Sequence, residues 1–205
     1  MKAIALNLPQ STNDSEWFAE TEIATPIPEY RDLLVRVKAI SVNPVDYKVR
    51  GSSQLQQQSS KILGWDVAGI VEAVGNEVTL FKTGDEVYYA GSFIRAGNNS
   101  EYHVVDERIV GKKPASLSYA EAAALPLTTI TAWEAMMFTK SMYETEDMQS
   151  QHDLLNQVAI LIDQGILKTS ITENLGILNI ANLAKAHRLL ESGTAIGKVV
   201  LSGME

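Results

Sequence analysis

Between Leu33 and Val110 the sequence is a succession of short β-patterned runs broken by glycine turns. From Ser118 onward it turns helical, and a single β run returns at Gly197–Leu201. Many strands, then helices, then a lone strand is not the order of a doubly wound sheet, which alternates strand and helix throughout. The order predicts a mainly β domain, a folded sheet or compact barrel, with helices flanking it. Leu33–Ile40 sets Val35, Val37 and Ala39 against Arg36 and Lys38, the period of a half-buried strand. Trp65–Val74 is a second run, Asp85–Tyr89 a third, and Ser100–Val110 a fourth with His103 and Val105 on one face.

In the helical part, Ser118 and Glu121 have the spacing of a capping box, and Ala122–Leu125 follows. Pro126 interrupts before Thr128–Met136 resumes. Asp153–Asp163 carries an apolar stripe ending at Gly165, a C′ position, and Asn179 caps a second amphipathic helix stopped by Gly193. Gln54–Ser60 reads as a loop. From Met136 to Gln149 no helical or strand period is visible, and no Gly or Pro marks a linker.

Composition removes several function classes. The chain has 205 residues and no cysteine, which excludes a disulfide framework, a thiolate nucleophile and any zinc site built on Cys. A net charge of −8 argues against a nucleic-acid footprint, which needs a basic patch. No apolar run approaches the roughly 20 residues of a membrane span, and the first residues turn polar too early for a signal peptide. A cytoplasmic protein is the expectation.

Chemistry concentrates in Asn43-Pro44-Val45-Asp46-Tyr47-Lys48-Val49-Arg50-Gly51, directly after the first clear strand. The residues alone allow a plain reading, a charged turn held by an Asp–Arg or Asp–Lys pair. Gly64, Gly69 and Gly75 lie within β-patterned sequence, so close backbone approach or a bulge explains them better than a phosphate loop. His103, His152 and His187 are scattered without metal-ligand spacing, and His187 sits on an apolar helix stripe.

These segments resemble the medium-chain dehydrogenase/reductase superfamily, in its zinc-independent alcohol-dehydrogenase-like and quinone-oxidoreductase-like branch. The matching pieces are Val35–Asp46, the G-x-D-x-x-G-x-V-x-x-V-G run of Gly64–Gly75, Gly84–Tyr88 and Ala122–Trp133. Ala186–Gly193 and Gly197–Leu201 complete the resemblance. It implies a GroES-like, partly open β-barrel catalytic domain. Zinc-dependent relatives place a Cys at the position of Asn43 and a His at that of Trp65, so the resemblance implies neither catalytic nor structural zinc. It also implies an NADPH-dependent reductase of quinones, enones or related carbonyls. Asn43 and Lys48 would lie beside nicotinamide and substrate, Asp46 would orient the turn, and Thr128 would contact the nicotinamide end. Lys48 is the first choice as carbonyl polariser or proton donor, against a plain surface lysine. Lys198 would face the cofactor phosphates, against a solvated lysine.

One element of the family is missing. After Thr131-Ala132-Trp133 such enzymes enter a Rossmann domain of roughly 130 residues, whereas here Met136 runs directly into Met137-Phe138. The resemblance therefore implies one discontinuous catalytic domain without a Rossmann sheet, built from residues 1–136 and 137–205 and joined where the cofactor domain would be inserted. Such a chain would hold no cofactor tightly and be inactive alone. The alternative is a non-enzymatic binding or scaffold module. Met136, Met137, Phe138 and Met142 would be available to bury a bared face by self-association.

Overall fold

The structure is a computed structural model, described here for residues 1–7, 16–52, 61–137 and 148–204, the side chains of Met136 and Met137 excepted. The loop expected at Gln54–Ser60 lies outside the described residues. So do Phe138 and Met142 and the side chains of Met136 and Met137, with the self-association expected of them.

Strands β1 (Lys2–Leu6) and β2 (Phe18–Glu22) form a small antiparallel sheet. The main sheet contains β3 (Asp32–Val42), β4 (Asp66–Val74), β5 (Glu86–Ala90), β6 (Tyr102–Asp106), β7 (Val110–Lys112), β8 (Ile171–Ile177) and β9 (Lys198–Ser202). Its order is β7-β5-β4-β3-β9-β8, with β6 also beside β3. Strand β3 is the hub. One edge pairs with β4, while the other is shared by β6 along Asp32–Arg36 and β9 along Ala39–Val42. Strands β7 and β8 end the path unpaired to each other among the described residues, so the sheet stays open. The expected mainly β architecture with flanking helices is the one observed.

The alternation read in Leu33–Ile40 matches the burial, since Val35, Val37 and Ala39 are buried while Arg36 is exposed. Gly69 faces Val37 at a register shift in the β3–β4 pair. A Cβ there would fall 2.3 Å from the Arg36 carbonyl oxygen and 2.7 Å from Val35 Cγ1, so close approach is the reason for glycine. Gly69→Ala is expected to destabilise the chain by about 1–3 kcal/mol or more through this overpacking. An unchanged urea midpoint would refute that account.

The helices are α1 (Pro44–Arg50), α2 (Tyr119–Ala123), α3 (Pro126–Met137), α4 (Gln149–Asp163) and α5 (Ile180–Glu191). Ser118 and Glu121 form the expected capping box on α2. Leu154, Leu155, Val158 and Ile162 bury the α4 stripe, and Gly165 takes φ 73° just past its end. Asn179 Oδ1 accepts from the Asn182 amide at 2.9 Å and caps α5.

Two expectations are corrected. The polar turn after β3 is a helix, because Pro44 sits at the start of a helix, where a missing N–H costs nothing. The returning strand β9 is also not alone, since β8 runs parallel to it with α5 between them. That makes one strand–helix–strand unit rather than a doubly wound sheet. Among the described residues no helix is long and apolar enough to cross a membrane.

Candidate functional site

Where β3 ends, three strands and the starts of two helices converge. Asn43 leaves β3 and forms the N-cap position of α1. Its backbone N–H donates to Asp46 Oδ2 at 2.7 Å, so the Asp46 carboxylate is turned back onto the start of its own helix. The Asn43 carboxamide points instead toward the sheet. Its Nδ2 donates to Asp66 Oδ2 at 2.9 Å and to the Ser41 carbonyl at 3.3 Å, and its Oδ1 accepts from Lys198 Nζ.

Asp66 is the centre of this arrangement. It opens β4 opposite Ser41 and is fully buried. Oδ2 takes the Asn43 amide and the Lys198 ammonium at 2.9 Å each, and Oδ1 takes the backbone N–H of Leu127 at 2.8 Å. Leu127 is the second residue of α3, so one carboxylate ties β3, β9 and the α3 N-terminus together. Its charge also suits that helix end, where unpaired amides point outward. Burial pushes the Asp46 carboxyl up to about 7, with the nearby Asp66 charge adding to the rise, while the Asn43 amide and Lys198 pull the other way.

Of the residues singled out in the sequence, the structure brings Asn43, Asp46 and Lys198 into this cluster and sets Thr128 beside it, exposed in the first turn of α3. Lys48 is not part of it. Its side chain is exposed on α1 and makes no ion pair among the described residues. Nor is Lys198 a solvated lysine, because only 8% of it is exposed. The expected Asp–Arg or Asp–Lys turn pair is absent as well. Arg50 turns the other way, donating to Glu191 at 2.7 Å, meeting His187 Nδ1 at 3.4 Å and lying over the Trp17 ring at 3.4 Å.

The histidines are structural. Burial, with the Arg50 charge assisting, pushes His187 down to about 3. His103, bonded to the Tyr89 hydroxyl at 2.9 Å and the Ala96 carbonyl at 3.0 Å, is pushed down to about 4 by burial. His152 meets the Val110 carbonyl at 2.6 Å. Among the described residues no group of three or more His, Cys, Asp or Glu is placed to hold a metal.

Asp66 is not among the residues singled out from the sequence, although the sequence carries a signal for it. It is an acid followed directly by Val67-Ala68-Gly69, in a run with no polar face to receive it. A carboxylate in such a strand requires internal partners.

An open, mostly antiparallel sheet with a polar cluster at the end of its hub strand defines a GroES-like domain. The alcohol dehydrogenase GroES-like domain model matches residues 29–132. A zinc-type alcohol dehydrogenase-like protein of Staphylococcus aureus is 46% identical over 140 residues, covering 68% of this chain and 41% of that protein. A quinone oxidoreductase of Lama guanicoe is 35% identical over 119 residues, 58% of this chain and 36% of that one. Among solved structures, one from Rhizobium etli ascribed to the zinc-dependent alcohol dehydrogenases superposes with TM-score 0.93 at 34% identity, covering 100% of this chain and 98% of that one. The Escherichia coli quinone oxidoreductase complexed with NADPH shares the fold, with TM-score 0.81 at 15% identity, and covers 98% of this chain and 100% of that one. The chain belongs to the alcohol dehydrogenase GroES-like family of the medium-chain dehydrogenase/reductase superfamily, and is an oxidoreductase-family domain. It spans about two-fifths of the length of the Staphylococcus aureus relative.

Proposed function

We propose that this chain is the substrate-side domain of an NAD(P)H-dependent, zinc-independent oxidoreductase acting on quinones, enones or related carbonyls. The observation that carries the reading is the buried Asn43–Asp66–Lys198 cluster against the first turn of α3, where Thr128 is exposed. Residues 1–136 and 137–205 act as two parts of one domain. The central β3–β9 pairing and the Asp66–Lys198 ion pair, both of which cross that division, support this.

Zinc does not suit these residues. The cluster offers two carboxylates and a carboxamide around an ammonium that repels a cation, and Trp65, packed on Phe93 at 5.1 Å, has no lone pair to give. NADPH would be held chiefly by a nucleotide-binding domain outside this chain, and it supplies the hydride when bound. Among the described residues no glycine-rich turn leads from a strand into a helix to seat a pyrophosphate. Thr128 and Asn43 would meet the nicotinamide end, with Asp46 fixing the α1 start, whereas Lys198, expected from the sequence to face the cofactor phosphates, is turned inward onto Asn43 and Asp66. Lys48, the polariser expected from the sequence, stands exposed outside the cluster and has no part in the proposed site.

The same lack of a phosphate turn favours a second reading for the chain by itself, that of a carbonyl-binding module without turnover. NADPH absorbance is expected to stay constant when the chain alone is mixed with a quinone or enone. Oxidation above the buffer background would overturn the assignment of the cofactor to another domain.

A further inference from the structure

We propose that Lys198, anchored by Asp66 and Asn43, is the group that grips the oxygen of a neutral carbonyl ligand at this site. The proposal rests on the carbonyl reading above and names the residue and substrate class that reading leaves open.

Donor capacity is the first argument. A lysine ammonium has three N–H groups. In Lys198 one points to Asn43 Oδ1 and one to Asp66 Oδ2 at 2.9 Å, and no described residue accepts the third. The rest of the cluster is committed inward. The Asn43 carboxamide bonds Lys198, Asp66 and Ser41, and both Asp66 oxygens are taken. The Asp46 carboxylate accepts from the Asn43 backbone and is buried. Apart from the more deeply buried Asp46 carboxyl when it is protonated, Lys198 alone of these groups has a hydrogen-bond donor left over.

Environment is the second argument. The Lys198 side chain is 10% exposed, so a ligand oxygen reaching it would meet an ammonium held in place and poorly screened by water. Lys48 is exposed and solvated, and would have to give up side-chain freedom to act. Charge then selects the ligand. The Asp66–Lys198 pair is already neutral, so an ionised carboxylate ligand would bring a second negative charge against buried Asp66. A neutral ketone, enone or quinone brings a polarisable oxygen without that penalty.

Backbone NMR of the nitrogen-15-labelled chain, titrated with 2-cyclohexenone and separately with propionate, tests this. The enone is expected to shift the amides of Asn43, Leu127, Thr128 and Lys198, and propionate to leave them in place. Lys198→Met alone leaves Asp66 buried without its cation and can fail to fold, so the deciding variant is the Asp66→Asn/Lys198→Met double. With its fold retained, it should bind the enone at least roughly tenfold more weakly, the loss expected for a charged hydrogen bond. Lys48→Met should bind as the parent does. Unchanged affinity in the double variant, loss in Lys48→Met, or equal binding of propionate would overturn the proposal while sparing the carbonyl reading. No enone-induced shift in the parent chain would remove that reading, and this proposal with it.

Discussion

Asp66→Ala is expected to destabilise the chain by about 3–5 kcal/mol, the cost of removing one member of a buried ion pair. The variant takes one acceptor from the buried Lys198 ammonium and one from the Asn43 amide, and leaves the half-buried Leu127 N–H without its partner. For a chain of this length that is a fall in Tm of roughly 6–20 °C, readable by circular dichroism. The Asp66→Asn/Lys198→Met double should recover most of the loss, because it removes both charges together. An alanine variant within about 1 kcal/mol of the parent would mean that water enters and replaces the carboxylate. The knot between β3, β9 and α3 would then contribute little to stability.

The second large effect is a pH dependence centred on Asp46. Its carboxyl titrates near 7 in the folded chain, raised by burial, against an ordinary value of 3.8. Between those values the folded state keeps a proton that the unfolded state releases. The stability from this group is therefore full below about pH 4 and is lost as pH rises through 7. The ceiling is about 4 kcal/mol for a shift of that size. His103 and His187 act in the opposite sense. Their folded values near 4 and 3 lie below the ordinary 6.5, so they contribute stability above pH 6.5 that is lost on acidification. The total profile mixes these trends, and the comparison with Asp46→Asn isolates the carboxyl. Its amide oxygen can still accept from the Asn43 N–H. In urea titrations from pH 4 to 8, the stability of Asp46→Asn relative to the parent should rise steadily with pH. A constant difference would show that Asp46 is already ionised in the folded state.

Much of this architecture is legible in the residues, for identifiable reasons. Strand β3 alternates because one face meets the core, and α4 and α5 announce themselves through stripe, cap and terminal glycine. Strand β8 does not, because Ile171–Ile177 lies at the sheet edge with most of its residues exposed, so burial imposes no period. Helix α1 is hidden for a different reason. Seven residues are too few for a stripe, and its buried residues are both charged: Asp46, held by the nearby Asn43 N–H, and Arg50, held by Glu191 far along the chain. In the site, Asn43, Asp46 and Lys198 could be named one by one, but what joins them could not. Asp66 reaches them through strand register and through a helix start 61 positions away.

The shared edge of β3 has a consequence for how the chain comes to be folded. Strands β4 and β5 find each other across a short connection, but β9 must reach β3 from far along the polypeptide. Ser41 and Val199, bonded in the finished sheet, stand 158 positions apart. Loop closure over that length comes late and slowly, because its entropy must be lost before the contacts repay it. The cluster of Asn43, Asp66 and Lys198 spans the same gap, so it is complete only once β9 has docked on β3. Until then Asp66 has an apolar strand around it and no cation beside it. The Lys198 amine, reachable by solvent before β9 docks and shielded afterwards, is in effect a clock for completion of the domain.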